Sequence, residues 1–167
     1  WIATCGTIAA ARVARGHVVL GAMDDIDFLH PVKVGEVAVL RAQVEYVGRC
    51  SLEVGVQVFA ESPRTGARAL TLSSHLVFVK VGGDARPEPV RQGIAPRGAV
   101  EEALHAAAQE RRAHRLGRFA RRADRAAETG DDSEAIRWRF ESSRSVLPED
   151  TLFGHTMFAG KVLMDID

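Results

Sequence analysis

Four segments of the chain have strand patterns: the first is a valine-rich run, and in the later ones apolar and polar side chains alternate, as they do in strands that bury one face. In the second segment, one face carries Ala38, Leu40, Ala42, Val44 and Tyr46. The connections between the segments are short, which favours antiparallel pairing of consecutive strands. The pattern therefore predicts an antiparallel sheet built from residues 17–23, 36–47, 51–60 and 68–80.

Residues 1–15 are small and apolar on almost every side of a helix, with alanine as the commonest residue. A helix that is apolar all round is typical of a buried element. The alanines and glycine would let another backbone approach closely, and Gly16 suits the position just after a helix. We therefore expect a buried helix that ends at residues 15–16.

The middle of the chain changes character. Residues 82–100 contain two adjacent glycines and three prolines, which indicates an irregular connection. Residues 101–128 form a strong helical pattern with seven arginines against five acidic residues. This composition favours a solvated helix or linker with limited packing; the alternative is a surface for another chain or an anionic ligand. Alternation of apolar and polar residues resumes over 135–147 and predicts a further strand.

Composition narrows the function. The chain has 167 residues, 22 basic and 22 acidic side chains and a formal net charge of +0, so a nucleic-acid partner is not expected. Cys5 and Cys50 form no CxxC pair, which argues against a disulfide scaffold or a zinc ribbon and favours a reducing, cytoplasmic compartment. We also expect no metal and no separate cofactor. No apolar run approaches the roughly 20 residues that span a bilayer, so no membrane partner is expected.

The last segment, 146–167, carries the candidate chemistry. Ala159 and Gly160 stand at the start of an apolar helical pattern, where free backbone N–H groups could hold an oxyanion. Asp165 and Asp167 follow on the same pattern, and a carboxylate there could activate a water molecule. The alternative reading is a pair of acidic residues on the exposed side of a surface helix.

Several segments resemble the hotdog-fold acyl-CoA thioesterases, in particular the cytosolic acyl-CoA hydrolases that contain two hotdog repeats. The chain has PEDTLFGHTMFAG where the family has a segment like PxDTNxxGTxFGG, and MDDIDFLHPVKVGE where the family has one like VDxxDFLxPVxVGE. The strands from Val39 to Val79 are also similar. The resemblance covers residues 1–80 and 136–167 and implies an α+β hotdog fold, in which a curled antiparallel sheet wraps one long helix.

The order of these segments differs from that of one complete hotdog. The chain is either a piece spanning the middle of a tandem protein or a circular permutant of one repeat. On this resemblance, residues 1–81 form the helix continuation and closing strands, and 82–134 an irregular and then charged helical linker. Residues 135–167 form the opening strand and helix start.

The resemblance implies hydrolysis of fatty acyl-CoA by water that a helix carboxylate activates. Asp167 matches the family's carboxylate, with Asp165 as second choice, and Ala159 and Gly160 match the oxyanion segment. The family's asparagine is Leu152 here, and in the N-terminal helix Ala3 replaces the acid. These two departures favour a rival interpretation, a non-catalytic hotdog module for assembly or acyl binding. A dehydratase or a thioesterase acting on carrier proteins is a further alternative.

The resemblance also implies coenzyme A as part of the substrate and an oligomer of paired hotdog units. Basic residues near strand ends and turns could meet its phosphates, and strand hydroxyls could bond its amides. The candidates are Lys33, Arg49, Arg64 and Arg68 for the phosphates, and Ser51, Ser73 and Ser74 for the amides. The alternative for each is an ordinary solvent-facing side chain.

Overall fold

The computed structural model describes residues 1–24, 26–128, 143–152, 156–158 and 160–162. Helices and strands follow in the order α1 (Ile2–Ala14), β1 (Val18–Met23), β2 (Asp27–Phe28), β3 (Val37–Val47), β4 (Ser51–Glu61), β5 (Arg68–Lys80), α2 (Gly98–Glu128), β6 (Thr151–Leu152) and β7 (Thr156–Met157). A short 3₁₀ turn, Pro148–Asp150, precedes β6. The strands predicted at 17–23, 36–47, 51–60 and 68–80 and the helices predicted at 1–15 and 101–128 are confirmed. No helix within the described ranges is long and apolar enough to cross a membrane.

The main sheet is antiparallel and has the order β1-β5-β4-β3, with β2 pairing on part of β5. β3, β4 and β5 form a meander through the tight connections at 48–50 and 62–67. β1, which precedes the meander in the chain, pairs with β5 on the side away from β4. Among the described strands, β1 and β3 are therefore the two long edges of the sheet.

Helix α1 packs on one face of the sheet through small side chains. Ala3, Gly6, Ala10 and Ala14 recur every three or four residues and are buried. Opposite them lies the apolar face of the sheet, whose fully buried members are Val18, Leu52, Val54, Val56, Leu76 and Phe78. The expectation of burial on every side of α1 is wrong, because Ile8 is 56% exposed. The helix buries one stripe and presents Thr4, Ile8 and Arg12 outward.

A β-bulge at Glu45 changes the face assignment that strict alternation predicts. Val44 pairs with Val54, but Tyr46 already pairs with Glu53, so β3 carries one extra residue at this point. A bulge moves the side chains that follow it to the opposite face of the sheet from the one that alternation predicts. Tyr46 therefore lies on the outer face, with its ring centroid 5.4 Å from that of His105 in α2, and not beside Val44 as alternation predicts.

Helix α2 lies across the outer face of the sheet, so it is not solvated on every side, contrary to expectation; its role as a linker stays a prediction. Ala108 is fully buried and Arg115 is 4% exposed. The reason is that buried carboxylates on the sheet supply partners for the helix arginines. Between β5 and α2, residues 82–97 are irregular as predicted, with one isolated bridge from Val81 to Pro87. Of the predicted strand 135–147, residues 135–142 lie outside the described part of the chain, and 143–147 are not in a strand.

The close contact between α1 and the sheet predicts that Gly6 tolerates no larger residue. A Cβ atom at Gly6 would lie 3.0 Å from the ring of Phe78, which is itself fully buried. We expect Gly6→Val to lower the free energy of unfolding by about 1–3 kcal/mol, because overpacking forces the helix or the ring to move. Urea denaturation measures the change.

Ile8→Ala on the exposed side of the same helix is the matched control, and it should stay within about 0.5 kcal/mol of the wild type. An equally small effect of Gly6→Val would mean that α1 does not sit against Phe78 as described.

Candidate functional site

Charged side chains from four elements meet between the sheet and α2. Asp24 follows β1, Glu45 lies in β3 and Glu53 in β4, and all three face arginines of α2. The arginines are Arg111, Arg115 and Arg118, whose spacing of four and then three residues places them on one face of the helix. We refer to these six residues as the ionic cluster.

The ionic cluster is a continuous chain of charge-assisted hydrogen bonds. Arg111 donates from Nη2 to Glu45 Oε2 (2.6 Å) and from Nε to Glu53 Oε1 (2.7 Å). Arg115 donates from Nη2 to Glu53 Oε2 (2.7 Å) and to Asp24 Oδ2 (2.9 Å). Arg118 closes the chain on Asp24 Oδ1 at 3.0 Å. Three cations thus neutralise three carboxylates, and α2 is fixed to both edges of the sheet.

Glycine at position 55 makes room for the Glu45 carboxylate. A Cβ atom on Gly55 would stand 2.1 Å from Glu45 Oε1, so no other residue fits without moving the glutamate. Burial raises the pKa of Glu45, which the neighbouring Arg111 partly offsets, and Glu53 raises it further. Burial also raises the pKa of Glu53, again against the opposing effect of the arginines.

His75 connects the ionic cluster to a groove on the outer face of the sheet. Its Nε2 lies 3.6 Å from Glu45 Oε2. Burial lowers the pKa of His75, and the positive charge of Arg111 lowers it further. The groove holds about 800 Å³, and its lining mixes apolar residues with polar ones that include Gln43, Gln57 and Ser73. Within the described residues, no group of three His, Cys, Asp or Glu side chains could hold a metal ion.

The terminal segment is organised around Asp150. Its carboxylate is buried, accepts hydrogen bonds from the Arg144 guanidinium and the Leu147 N–H, and lies 3.8 Å from Lys161 Nζ. The hydrogen bond from Arg144 is the main cause that lowers the pKa of Asp150. Its backbone carbonyl accepts the Phe158 N–H at 2.8 Å. One residue therefore ties the turn before β6 to the chain that follows β7.

A helical turn begins at Gly160, where the sequence predicts a helix start. The Lys161 and Val162 N–H groups donate to the Phe158 carbonyl at 2.8 and 3.4 Å. The Phe158 ring packs over Gly160, because a Cβ atom there would lie 2.5 Å from Phe158 Cε1. The other predicted catalytic residues, Ala159, Asp165 and Asp167, lie outside the described residues, so their roles stay predictions.

The predicted substrate-binding residues do not form one site. Arg49 and Ser51 lie at the β3–β4 turn, whereas Arg64 and Arg68 lie at the opposite end of β4, about 33 Å away at strand spacing. Arg68 is paired with Glu61, and Lys33 is exposed in the loop before β3. Ser74 is buried, and its hydroxyl lies 3.5 Å from the Asp24 carbonyl. Of these candidates, Ser73 and Ser74 both line the large outer groove.

Sequence reasoning missed the ionic cluster and the role of Asp150. The arginine spacing on one helix face was a usable signal. A second signal was an acidic residue, Glu53, inside an otherwise valine-rich strand. Neither signal alone identifies which acid pairs with which arginine, because the paired residues are separated by between 58 and 94 positions in the sequence.

Comparison with known proteins places the chain among thioesterases. A family model described as the thioesterase superfamily matches residues 1–67, which contain α1 and β1 to β4. The acyl-CoA thioester hydrolase YkhA of Bacillus subtilis is 36% identical over 118 residues, which are 71% of this chain and 68% of that protein.

Solved structures agree with this relationship. An acyl-CoA hydrolase from Staphylococcus aureus, in complex with butyryl coenzyme A and coenzyme A, is 29% identical with a TM-score of 0.67, covering 74% of each chain. A hexameric acyl-CoA thioesterase is 35% identical with a TM-score of 0.62, covering 68% of this chain and 74% of that one. The predicted α+β hotdog fold is confirmed.

Removal of the central arginine of the ionic cluster should lower the free energy of unfolding. In Arg115→Met, Asp24 and Glu53 lose a partner that is 5% exposed, and a broken buried ion pair typically costs about 3 kcal/mol. We therefore expect a clear fall in the urea midpoint. Arg118→Met is the matched control, since that arginine is 53% exposed and should contribute about 1 kcal/mol at most. Equal effects of the two substitutions would contradict the ionic cluster.

His75 predicts a pH dependence of stability. Its pKa is lower in the folded protein than its ordinary 6.5, so the unfolded chain takes up a proton first as the pH falls. Stability is therefore lost as the pH drops below about 6.5 towards the folded pKa. The raised pKa values of Glu45 and Glu53 act in the opposite direction.

The His75→Gln variant isolates this contribution, because the two glutamates remain in both proteins. We expect the wild type to lose more stability than His75→Gln between pH 7.5 and 5.5, measured by urea unfolding at each pH. Parallel pH profiles would show that His75 is not held neutral.

Proposed function

Because this chain belongs to the thioesterase superfamily, among its acyl-CoA thioester hydrolases, we infer that it hydrolyses acyl-CoA to a carboxylic acid and coenzyme A. The observation that carries this inference is the relationship to the Bacillus subtilis hydrolase, which extends over 71% of the chain. The chain spans 68% of that relative and 19% of mouse acyl-coenzyme A thioesterase 11. The finer statements that follow are our proposals.

The proposed reaction uses a helix carboxylate as general base. Asp167, or failing that Asp165, takes a proton from a water molecule, which attacks the thioester carbonyl. Backbone N–H groups at Ala159 and Gly160 stabilise the oxyanion that forms, and the thiolate of coenzyme A leaves. The tie from Asp150 to Phe158 supports this proposal, because it fixes the chain from which the helix starts.

We propose that the working unit is a set of paired hotdogs. The long edges β1 and β3 carry backbone groups that could pair with another copy. The hexameric relative supports association. The same proposal includes fatty acyl-CoA as the substrate, with coenzyme A as part of that substrate and no separate cofactor. It also includes membership of the tandem-repeat subfamily, a cytoplasmic location and a role in lipid metabolism.

A non-catalytic acyl-binding or assembly module is the second candidate. Two observations favour it: Leu152 occupies the place where the resembling family has asparagine, and Ala3 replaces the acid in α1. Such a module would bind acyl-CoA without releasing thiol. An assay that follows both binding and thiol release separates the two functions.

The catalytic assignment predicts that Asp167→Asn lowers kcat at least 100-fold, since general bases contribute about 10²–10⁴-fold. Thiol release from butyryl-CoA and longer acyl-CoA substrates measures the rate. Asp84→Asn, at an exposed acid in the turn after β5, is the control and should keep full activity. Loss of activity in Asp165→Asn alone would move the base to Asp165. Full activity in both variants would leave neither aspartate as the base.

A further inference from the structure

A pocket of about 450 Å³ lies beside the end of α1, and its lining residues are outside the terminal segment. Three cationic side chains line it, Arg15, Lys80 and Arg91, against one carboxylate, Glu88. We call it the basic pocket. Arg15 ends α1, Lys80 ends β5, and Arg91 lies in the irregular segment that crosses between them. Three separate parts of the chain thus bring positive charge to one cavity.

The Lys80 ammonium group lies in the basic pocket and can donate a further hydrogen bond there. Its side chain is 13% exposed and lies over Gly16, where a Cβ atom would be 3.0 Å from Lys80 Cε. Nζ donates to the Pro89 carbonyl at 3.4 Å and lies 3.9 Å from Glu88 Oε2. An ammonium group has three donors, so these two long contacts within the described part of the chain leave room for an acceptor.

Arg15 occupies a backbone conformation that normally selects glycine. Its φ is 51° and its ψ 47°, in the left-handed region, at the position where helices commonly end in glycine. Gly16 follows directly and would allow the turn to be made by glycine instead. Cations are favourable near a helix C-terminus, but that preference does not require an arginine in the left-handed position. The side chain of Arg15 therefore needs a reason of its own.

We propose that the basic pocket binds a phosphate-bearing anion through Arg15, Lys80 and Arg91. Two arginines and an ammonium group around a cavity of this size provide the forked and point-charge donors that phosphate oxygens accept. The net excess of two positive charges over Glu88 gives the anion a favourable field. The phosphate belongs either to a free anion or to the coenzyme A part of the substrate, and the second source rests on the proposed function.

The Arg15→Gly variant separates binding from folding. Glycine removes the cationic side chain and relieves the left-handed conformation, so affinity for inorganic pyrophosphate should fall about tenfold, while Tm rises by about 2 °C. Calorimetric titration with pyrophosphate and thermal denaturation measure the two effects. A purely structural role for Arg15 predicts unchanged pyrophosphate affinity. Arg91→Gln should lower affinity by a similar factor, and Arg12→Gln, on the exposed side of α1, is the matched control.

The two sources of phosphate are separated by substrate kinetics. If the pocket holds coenzyme A, Arg15→Gly and Arg91→Gln raise KM for acyl-CoA about tenfold but leave KM for acyl-pantetheine unchanged. If it holds a free anion, pyrophosphate binding weakens while both KM values stay constant. Equal pyrophosphate affinity in wild type and both variants, together with unchanged KM, overturns the proposal. Pyrophosphate binding needs no turnover, so an inactive protein would reject the proposed function without deciding this one.

Discussion

The fold depends on how closely α1 approaches the sheet. Gly6 meets the Phe78 ring, and alanines continue the same stripe along the helix. A helix with larger side chains here would stand off from the sheet and leave the inner valines and leucines incompletely covered. Apolar contacts fill the inner face in this way. The charged and polar side chains of the sheet therefore lie on its outer face and at its ends.

The outer face uses a different kind of packing. Between α2 and the sheet, charge-assisted hydrogen bonds replace most of the apolar contact that usually holds a helix to a sheet. The bulge at Glu45 and the missing side chain at Gly55 act together, since the bulge places Glu45 and Tyr46 both on the outer face and the glycine leaves space for the Glu45 carboxylate. Buried ion pairs contribute little net stability after desolvation, so their main effect here is to fix where α2 lies.

The predicted and observed structures agree where local pattern decides the outcome. The positions of β3, β4 and β5 and of helix α1 follow from patterns among neighbouring residues, and the sequence was sufficient to place these elements, although it predicted burial on more sides of α1 than the one stripe observed. It failed at Tyr46, because a bulge shifts the alternation without leaving a local signal. It failed at α2, because an arginine-rich helix looks solvated until distant Glu53 and Asp24 are known to face it. The substrate-binding candidates lie at opposite ends of β4, because a basic residue at a turn carries no information about which end of the sheet the turn occupies; their roles stay predictions.

Departures from local rules are more informative than agreement with them. The buried Glu45 breaks the rule that acids stay exposed, and its ion pair with Arg111 of α2 is the compensating contact. Ala85, a non-glycine residue with positive φ, lies in a turn closed by its own hydrogen bond to Gly82. Arg15 also has a positive φ, and neither packing nor a side-chain hydrogen bond within the described residues accounts for an arginine there. The backbone N–H of Arg15 donates to the Ala11 carbonyl and closes the helix as it would for any residue, so the backbone itself does not select arginine. The pocket that Arg15 shares with Lys80 and Arg91 is where our proposal places the contact of its guanidinium.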